Sequence, residues 1–179
     1  AQDLEEIATH GGGMYSVALR TPNKDGSEIL ASALEQVKAN PKTRLFGFFG
    51  VGGGHLPYRT ANGDFQPVPS PGAPAEEYSS ADLLENPTLA EFAVTAAAAL
   101  QAKSDRWWLM VEAGDVDWAN HANNIDNSIG AVISGDQAFS ALAKWIESNS
   151  GWDDTAIIVT ADHGHYLVID QPQALAVGK

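Results

Sequence analysis

Three carboxylates and two imidazoles in two short runs of this chain are spaced to do metal chemistry. Glu112, Asp117 and His121 lie in Val111-Glu112-Ala113-Gly114-Asp115-Val116-Asp117-Trp118-Ala119-Asn120-His121, and Asp162 and His163 lie in Thr160-Ala161-Asp162-His163-Gly164-His165. Oxygen and imidazole nitrogen donors of this kind bind divalent cations. Asp117 and His121 are four residues apart, so a helical turn puts both on one face, where they can chelate one ion. Glu112 precedes Asp117 by five residues and should enter the same cleft from another direction. Adjacent side chains diverge within a strand, but a turn after it, eased by Gly164, lets Asp162 and His163 reach one ion. The chain has no cysteine, which excludes disulfides and thiolate zinc sites.

The elements that must position these residues follow from hydrophobic pattern. Residues 106–112 and 155–161 are short apolar runs expected to be strands, the first covered on both faces as in a parallel sheet. Between them, residues 125–148 predict a long helix with Ile129, Val132, Ile133, Phe139, Leu142 and Ile146 on its apolar face. Upstream, residues 27–40 predict a helix capped by Ser27 and followed by Pro41, and residues 44–49 a buried strand. Asn86-Pro87 predicts an N-cap and first-turn proline for a helix running to Leu100. Residues 4–10 read as a helix end stopped by Gly11-Gly12-Gly13, and residues 60–80, rich in Pro, Gly, Ala and Ser, as a surface loop. Strands alternating with helices give an α/β fold, a largely parallel sheet with helices on its faces, forming one domain over residues 1–179. In such sheets ligands gather at the carboxyl ends of strands, so Glu112 and Asp162-His163 are expected at one edge.

Composition narrows the function classes. A net charge of −13 weighs against nucleic-acid binding through a basic patch, and a hydrophobic content of 44% is that of a globular chain. No apolar run is long enough to span a bilayer. The chain starts at Ala1 with no signal-like segment, and the expectation is a processed or excised piece. Asp162-His163 alone is often a surface turn, and Asp117 alone a helix cap; their joint occurrence with Glu112 and His121 favours metal binding. His10 and His55 flank glycine runs without a carboxylate neighbour in sequence and read as exposed loop residues. Gly50-Val51-Gly52-Gly53-Gly54 is not a phosphate-binding loop, because no Gly-Lys-[Ser/Thr] follows. Asp115-Val116-Asp117 lacks the glycine and terminal glutamate of a calcium loop. Trp107, Trp108, Trp145 and Trp152 are expected in packing.

The two runs together resemble the V-E-G-x-x-x-D-x-x-x-H-x-x-N and T-A-D-H-x-H segments of alkaline phosphatases, in the family's order and separated by one helix. Leu45-Phe46-Gly47-Phe48-Phe49 with His55-Leu56-Pro57-Tyr58, and Pro87-Thr88-Leu89-Ala90-Glu91, are similar to outer segments of the same family. The resemblance covers residues 43–165 and implies an alkaline-phosphatase-like fold, present as its central portion. It implies hydrolysis of phosphate monoesters through a phosphoserine at a site of two Zn2+ and one Mg2+. Carried over, Asp117 and His121 match ligands of the first zinc, Asp162 and His163 ligands of the second, and Glu112 a magnesium ligand. His165 matches a histidine that orients the Asp117 carboxylate, and Trp118 a residue lining the phosphate pocket. Phosphate monoesters or inorganic phosphate are the implied ligands, and the periplasm or the cell exterior the implied location.

The sequence departs from the family at the nucleophile, a serine directly after an aspartate; no serine here follows an aspartate. The family's N-terminal metal aspartate, magnesium threonine and phosphate-clamping arginine have no match, nor does the third ligand of the first zinc. Loosely held two-ligand sites are therefore expected, and little or no turnover by the isolated chain. The rivals are a non-catalytic metal- or phosphate-binding fragment, another hydrolase of the alkaline phosphatase superfamily, and one half of a split enzyme. Homodimerisation, or association with the missing flanking segments along an open sheet edge, is a further expectation.

Overall fold

The computed structural model describes residues 6, 14–40, 42–69, 75–149, 151–165 and 172–173. The helix end expected at residues 4–10, with its His10, lies outside them apart from Glu6. Strand β1, Tyr15–Leu19, pairs in parallel with β2, Arg44–Phe48, with Tyr15 opposite Arg44 and Leu19 opposite Phe48. Parallel partners cannot be joined by a hairpin. The crossover here is helix α1, Gly26–Ala39, whose Leu30, Ala33 and Val37 are buried. Leu30 and Ala33 close a small core with Ala18 and Phe49, and Phe92 meets the Phe49 ring edge-on at 6.0 Å between centroids. The chain is thus α/β, with α1 and the helix at Leu89–Gln101 packed against a two-stranded parallel sheet and the other helices packed on helices.

The helix caps depart from expectation in an instructive way. Asp25, not Ser27, caps α1, accepting the Ser27 and Glu28 N–H groups at 2.8 and 3.2 Å. A short helix α2, Ser80–Glu85, opens with a Ser79–Asp82 capping box inside the stretch read as loop. Helix α3, Leu89–Gln101, is capped by Thr88 with Glu91, not by Asn86. Asn86 precedes a proline, which disfavours helical backbone, and it ends α2 instead. Its side chain bonds elsewhere, accepting Gly50 N–H at 2.6 Å and donating to the Asp82 carbonyl at 2.8 Å.

Helix α4, Asp115–His121, and helix α5, Ile125–Asn149, follow. The face of α5 is only partly the expected one: Ile146 is buried as expected, but four of the other five residues are not. Ile129, Val132, Ile133 and Phe139 are exposed, whereas Asp126, Asn127, Ser128, Gly130, Ala131, Ala138 and Ile146 are buried. The polar members of that face hold a loop. Asp126 accepts the Ala61 and Val68 N–H groups at 3.0 and 2.7 Å, Asn127 accepts Glu76 N–H at 3.1 Å, and the fully buried Asn124 donates to the Val68 carbonyl. Buried backbone groups need partners, and here side chains of a helix start supply them.

The two expected strands at residues 106–112 and 155–161 are not part of the sheet. Nor are they covered on both faces: Trp108, Met110, Ile158 and Val159 are 72–86% exposed. An apolar run becomes a strand only when a neighbouring strand pairs with it, and among the described residues the one ladder is that of β1 with β2. Trp107 and Trp145 do pack, edge to face at 6.0 Å, but Trp108 and Trp152 are exposed.

One ion-pair cluster ties α2 to the sheet. Arg20, following β1, bonds Glu85 at 2.8 Å, Asp82 at 2.7 Å and the Gly50 carbonyl at 3.0 Å. The Asn23 N–H and then Arg20 hold the Glu85 carboxyl below its ordinary range. A depressed carboxyl stabilises the fold above its unfolded pKa of about 4.3, and that contribution disappears as pH falls through the lower folded value. Lowering the pH from 5 to 3 is therefore expected to cut the urea midpoint of the wild type by more than that of Glu85→Gln. Equal losses would remove Glu85 as a source of acid sensitivity.

Candidate metal centre

Helix α4 places Asp117 and His121 one turn apart, and His121 Nε2 stands 3.4 Å from Asp117 Oδ2. The segment after residue 160 brings two more imidazoles to the same carboxylate. His165 Nε2 lies 3.7 Å and His163 Nε2 3.9 Å from Asp117 Oδ1. The His121 and His165 rings meet edge-on at 4.6 Å. All of these separations exceed hydrogen-bond length, and Asp117 Oδ1 and His165 Nδ1 are buried without any hydrogen-bond partner. Two donors each about 2.0–2.1 Å from one tetrahedral zinc stand about 3.3 Å apart. The Asp117 surroundings are thus spaced as donors around a cation, and the orphaned Asp117 oxygen fits one.

The remaining residues of the set are arranged less tightly. Asp162 is 89% exposed, its Oδ2 3.6 Å from His163 Nε2. The Gly164 carbonyl, accepting from His163 Nδ1 at 2.9 Å, and then Asp162 raise the His163 pKa above its ordinary value. Glu112 is exposed, and its carboxylate would touch a Cβ built on Gly114 at 3.5 Å. It is not drawn into the Asp117 group, whose three closely grouped donors come from Asp117, His121 and His165. Trp118 is exposed, with its ring 5.8 Å from His55 and 6.3 Å from His121. It forms one wall of an open cleft of about 490 Å³, also lined by Tyr58, Glu76 and Asn127.

His55 corrects the sequence reading. It is not an exposed loop residue; its side chain is 12% exposed, in contact with Asp115 and 3.3 Å from Glu76 Oε2. The turn that delivers it runs Gly50 to Gly54, where Gly50, Gly53 and Gly54 have φ of 128°, 93° and 91°. Side-chain-bearing residues rarely adopt these angles, so the turn itself requires the glycines. Burial pushes the Asp115 carboxyl up to about 6, with His55 opposing and Glu76 adding to the rise. Burial likewise raises the Tyr58 and Tyr78 hydroxyls above their ordinary values, with Glu76 the next cause. No local motif announces this group, since His55 and Asp115 stand 60 positions apart.

Comparison with known proteins agrees with the resemblance. The model of the family described as alkaline phosphatase matches residues 24–175. Alkaline phosphatase H of Pseudomonas aeruginosa is 30% identical over 147 residues, 79% of this chain and 29% of that protein. Alkaline phosphatase 3 of Bacillus subtilis is 31% identical over 77 residues, 43% of this chain and 16% of that protein. The alkaline phosphatase of Escherichia coli is 32% identical over 92 residues, 51% of this chain and 19% of that protein. The chain spans less than a third of the length of these curated relatives. No solved structure matches it significantly. With the family model covering most of its length, the chain belongs to the alkaline phosphatase family.

Proposed function

We propose that this chain supplies part of the metal site of a phosphate monoester hydrolase. The observation that carries the reading is the Asp117 carboxylate, with imidazoles at 3.4, 3.7 and 3.9 Å and an orphaned buried oxygen. In this reading Asp117 and His121 hold one zinc, Asp162 and His163 contribute to a second, and Glu112 to a magnesium. His165 either orients Asp117 or joins it as a donor. Bound divalent ions would supply Lewis acidity to a phosphoryl group and a lowered pKa to bound water. The protein's own part is to fix the donors from α4 and the segment after residue 160, and to wall the phosphate position with Trp118. Phosphate monoesters or inorganic phosphate are the ligands of the reading, and a periplasmic or secreted location goes with the family. No helix among the described residues is long and apolar enough to cross a membrane.

The nucleophile is the weak point. No serine in the chain follows an aspartate, which favours a second reading, a metal- or phosphate-binding piece with no turnover of its own. p-Nitrophenyl phosphate hydrolysis by the purified chain, with chelator and then with Zn2+ and Mg2+ restored, separates the two. The expected result is binding of zinc with little or no turnover. Metal-dependent turnover lost in both Asp117→Ala and His163→Ala would replace it with a working phosphatase.

A further inference from the structure

We propose that His55, Glu76 and Asp115 form a second divalent-cation site, suited to manganese or zinc, in addition to the Asp117 group. Their donor atoms, one from each residue, lie within 4.8 Å of one another. One imidazole nitrogen and two carboxylates make a mixed donor set that suits Mn2+ or Zn2+ better than the all-oxygen shell of calcium. The three side chains come from separate segments, and each segment is anchored. The Val51 N–H donates to the His55 carbonyl at 2.8 Å, closing the glycine turn. The Glu76 N–H donates to Asn127 at the start of α5. Asp115 begins α4.

The group is enclosed as well as preformed. The side chains of His55, Asp115 and Glu76 are 12%, 21% and 23% exposed, and Tyr58, 5% exposed, donates to Glu76 Oε2 at 3.3 Å. Even a protonated His55 leaves a net negative charge among two carboxylates and one imidazole. Half-buried carboxylates are costly unless fully compensated. The compensation visible here is incomplete, because Glu76 Oε1 is buried with no hydrogen-bond partner. The Tyr78 hydroxyl, buried beside it, is not at bonding geometry either. A cation among these atoms would satisfy both the charge and the orphaned oxygen. The cleft bordered by His55, Tyr58, Glu76 and Trp118 gives it a path from solvent.

Titration of the purified, chelator-treated chain with Mn2+ alone, with free ion counted by electron paramagnetic resonance, tests this. Glu76→Gln and His55→Gln are each expected to lose one Mn2+ equivalent, or to weaken it by at least about 10-fold. Asp117→Asn is expected to keep that equivalent while losing another. Circular dichroism keeps a folding defect apart from a binding defect, and the two near-isosteric substitutions on separate segments guard against either one failing to fold. Unchanged stoichiometry and affinity in a folded Glu76→Gln or His55→Gln would overturn the proposal. The cluster would then be an ion pair only. The outcome does not depend on phosphatase activity, so the site stands or falls independently of the function proposed above.

Discussion

Asp117→Asn is expected to lower the affinity of this chain for zinc by at least about 100-fold, with the fold unchanged. Changing partners that merely orient metal ligands costs 10–100-fold, so removing the charge of the central donor should cost no less. Asp117 is central by geometry: three imidazoles face its two oxygens, and no other carboxylate in the group has more than one imidazole near it. Its side chain is 40% exposed and Oδ1 has no hydrogen bond to lose, so the amide should shift stability by no more than about 0.5 kcal/mol. Zinc titration calorimetry beside a urea unfolding curve reads both quantities. Unchanged zinc affinity would mean that the histidines gather around Asp117 for charge alone. Asp162→Asn is expected to do less, because Asp162 is 89% exposed and its loss leaves the Asp117, His121 and His165 donors in place.

How much of this was legible in sequence depends on what kind of signal each element carries. The α1, α3 and α5 helices could be found because a repeat of 3.6 residues survives any choice of neighbour. The α4 turn could be found from the Asp117 to His121 spacing. Strand β1 was not anticipated, and its buried positions explain why: they are Ser16 and Ala18, small residues that carry no apolar signal yet fit closely under α1. The runs at residues 106–112 and 155–161 misled in the opposite direction. Hydrophobicity says that a segment favours burial; it does not name the strand that must pair with it. The same limit misplaced the first half of the α5 face, while Ile146 is buried as the pattern expects. Asn124, Asp126 and Asn127 are buried because loop backbone needed acceptors and donors, a demand invisible to a hydrophobic pattern. The two chemical groups differ likewise. Asp117 with His121, and His163 with His165, are local pairs that can be read from spacing. His55, Glu76 and Asp115 meet only once the glycine turn, the clasped loop and α4 have all folded.

That clasped loop leads to the other large effect, at Gly130. Replacing it with alanine is expected to destabilise the chain by about 2 kcal/mol or more, although alanine is the better helix former. A Cβ on Gly130 would stand 2.1 Å from the Arg59 carbonyl oxygen, 3.0 Å from Thr60 Cα and 3.1 Å from the Arg59 carbonyl carbon. These are backbone atoms and cannot rotate aside as a side-chain tip would. Overpacking of this kind costs about 3 kcal/mol at the upper end of its usual range, against a gain of about 1 kcal/mol from helix propensity. Relief requires α5 and the loop to separate, and that strains the bonds from Asp126 to Ala61 and Val68. Gly135 offers the comparison on the same helix: its Cβ would meet only the Ala113 methyl, at 3.0 Å. Gly135→Ala should therefore cost less, and the ordering of the two urea midpoints is the test. Because Asn127 on this same helix start also fixes Glu76, a loosened loop in Gly130→Ala should weaken Mn2+ binding at the His55 group while sparing zinc at Asp117. Equal stability of the two alanine variants would show that the loop gives way at no cost, and would remove the reason for a glycine at position 130.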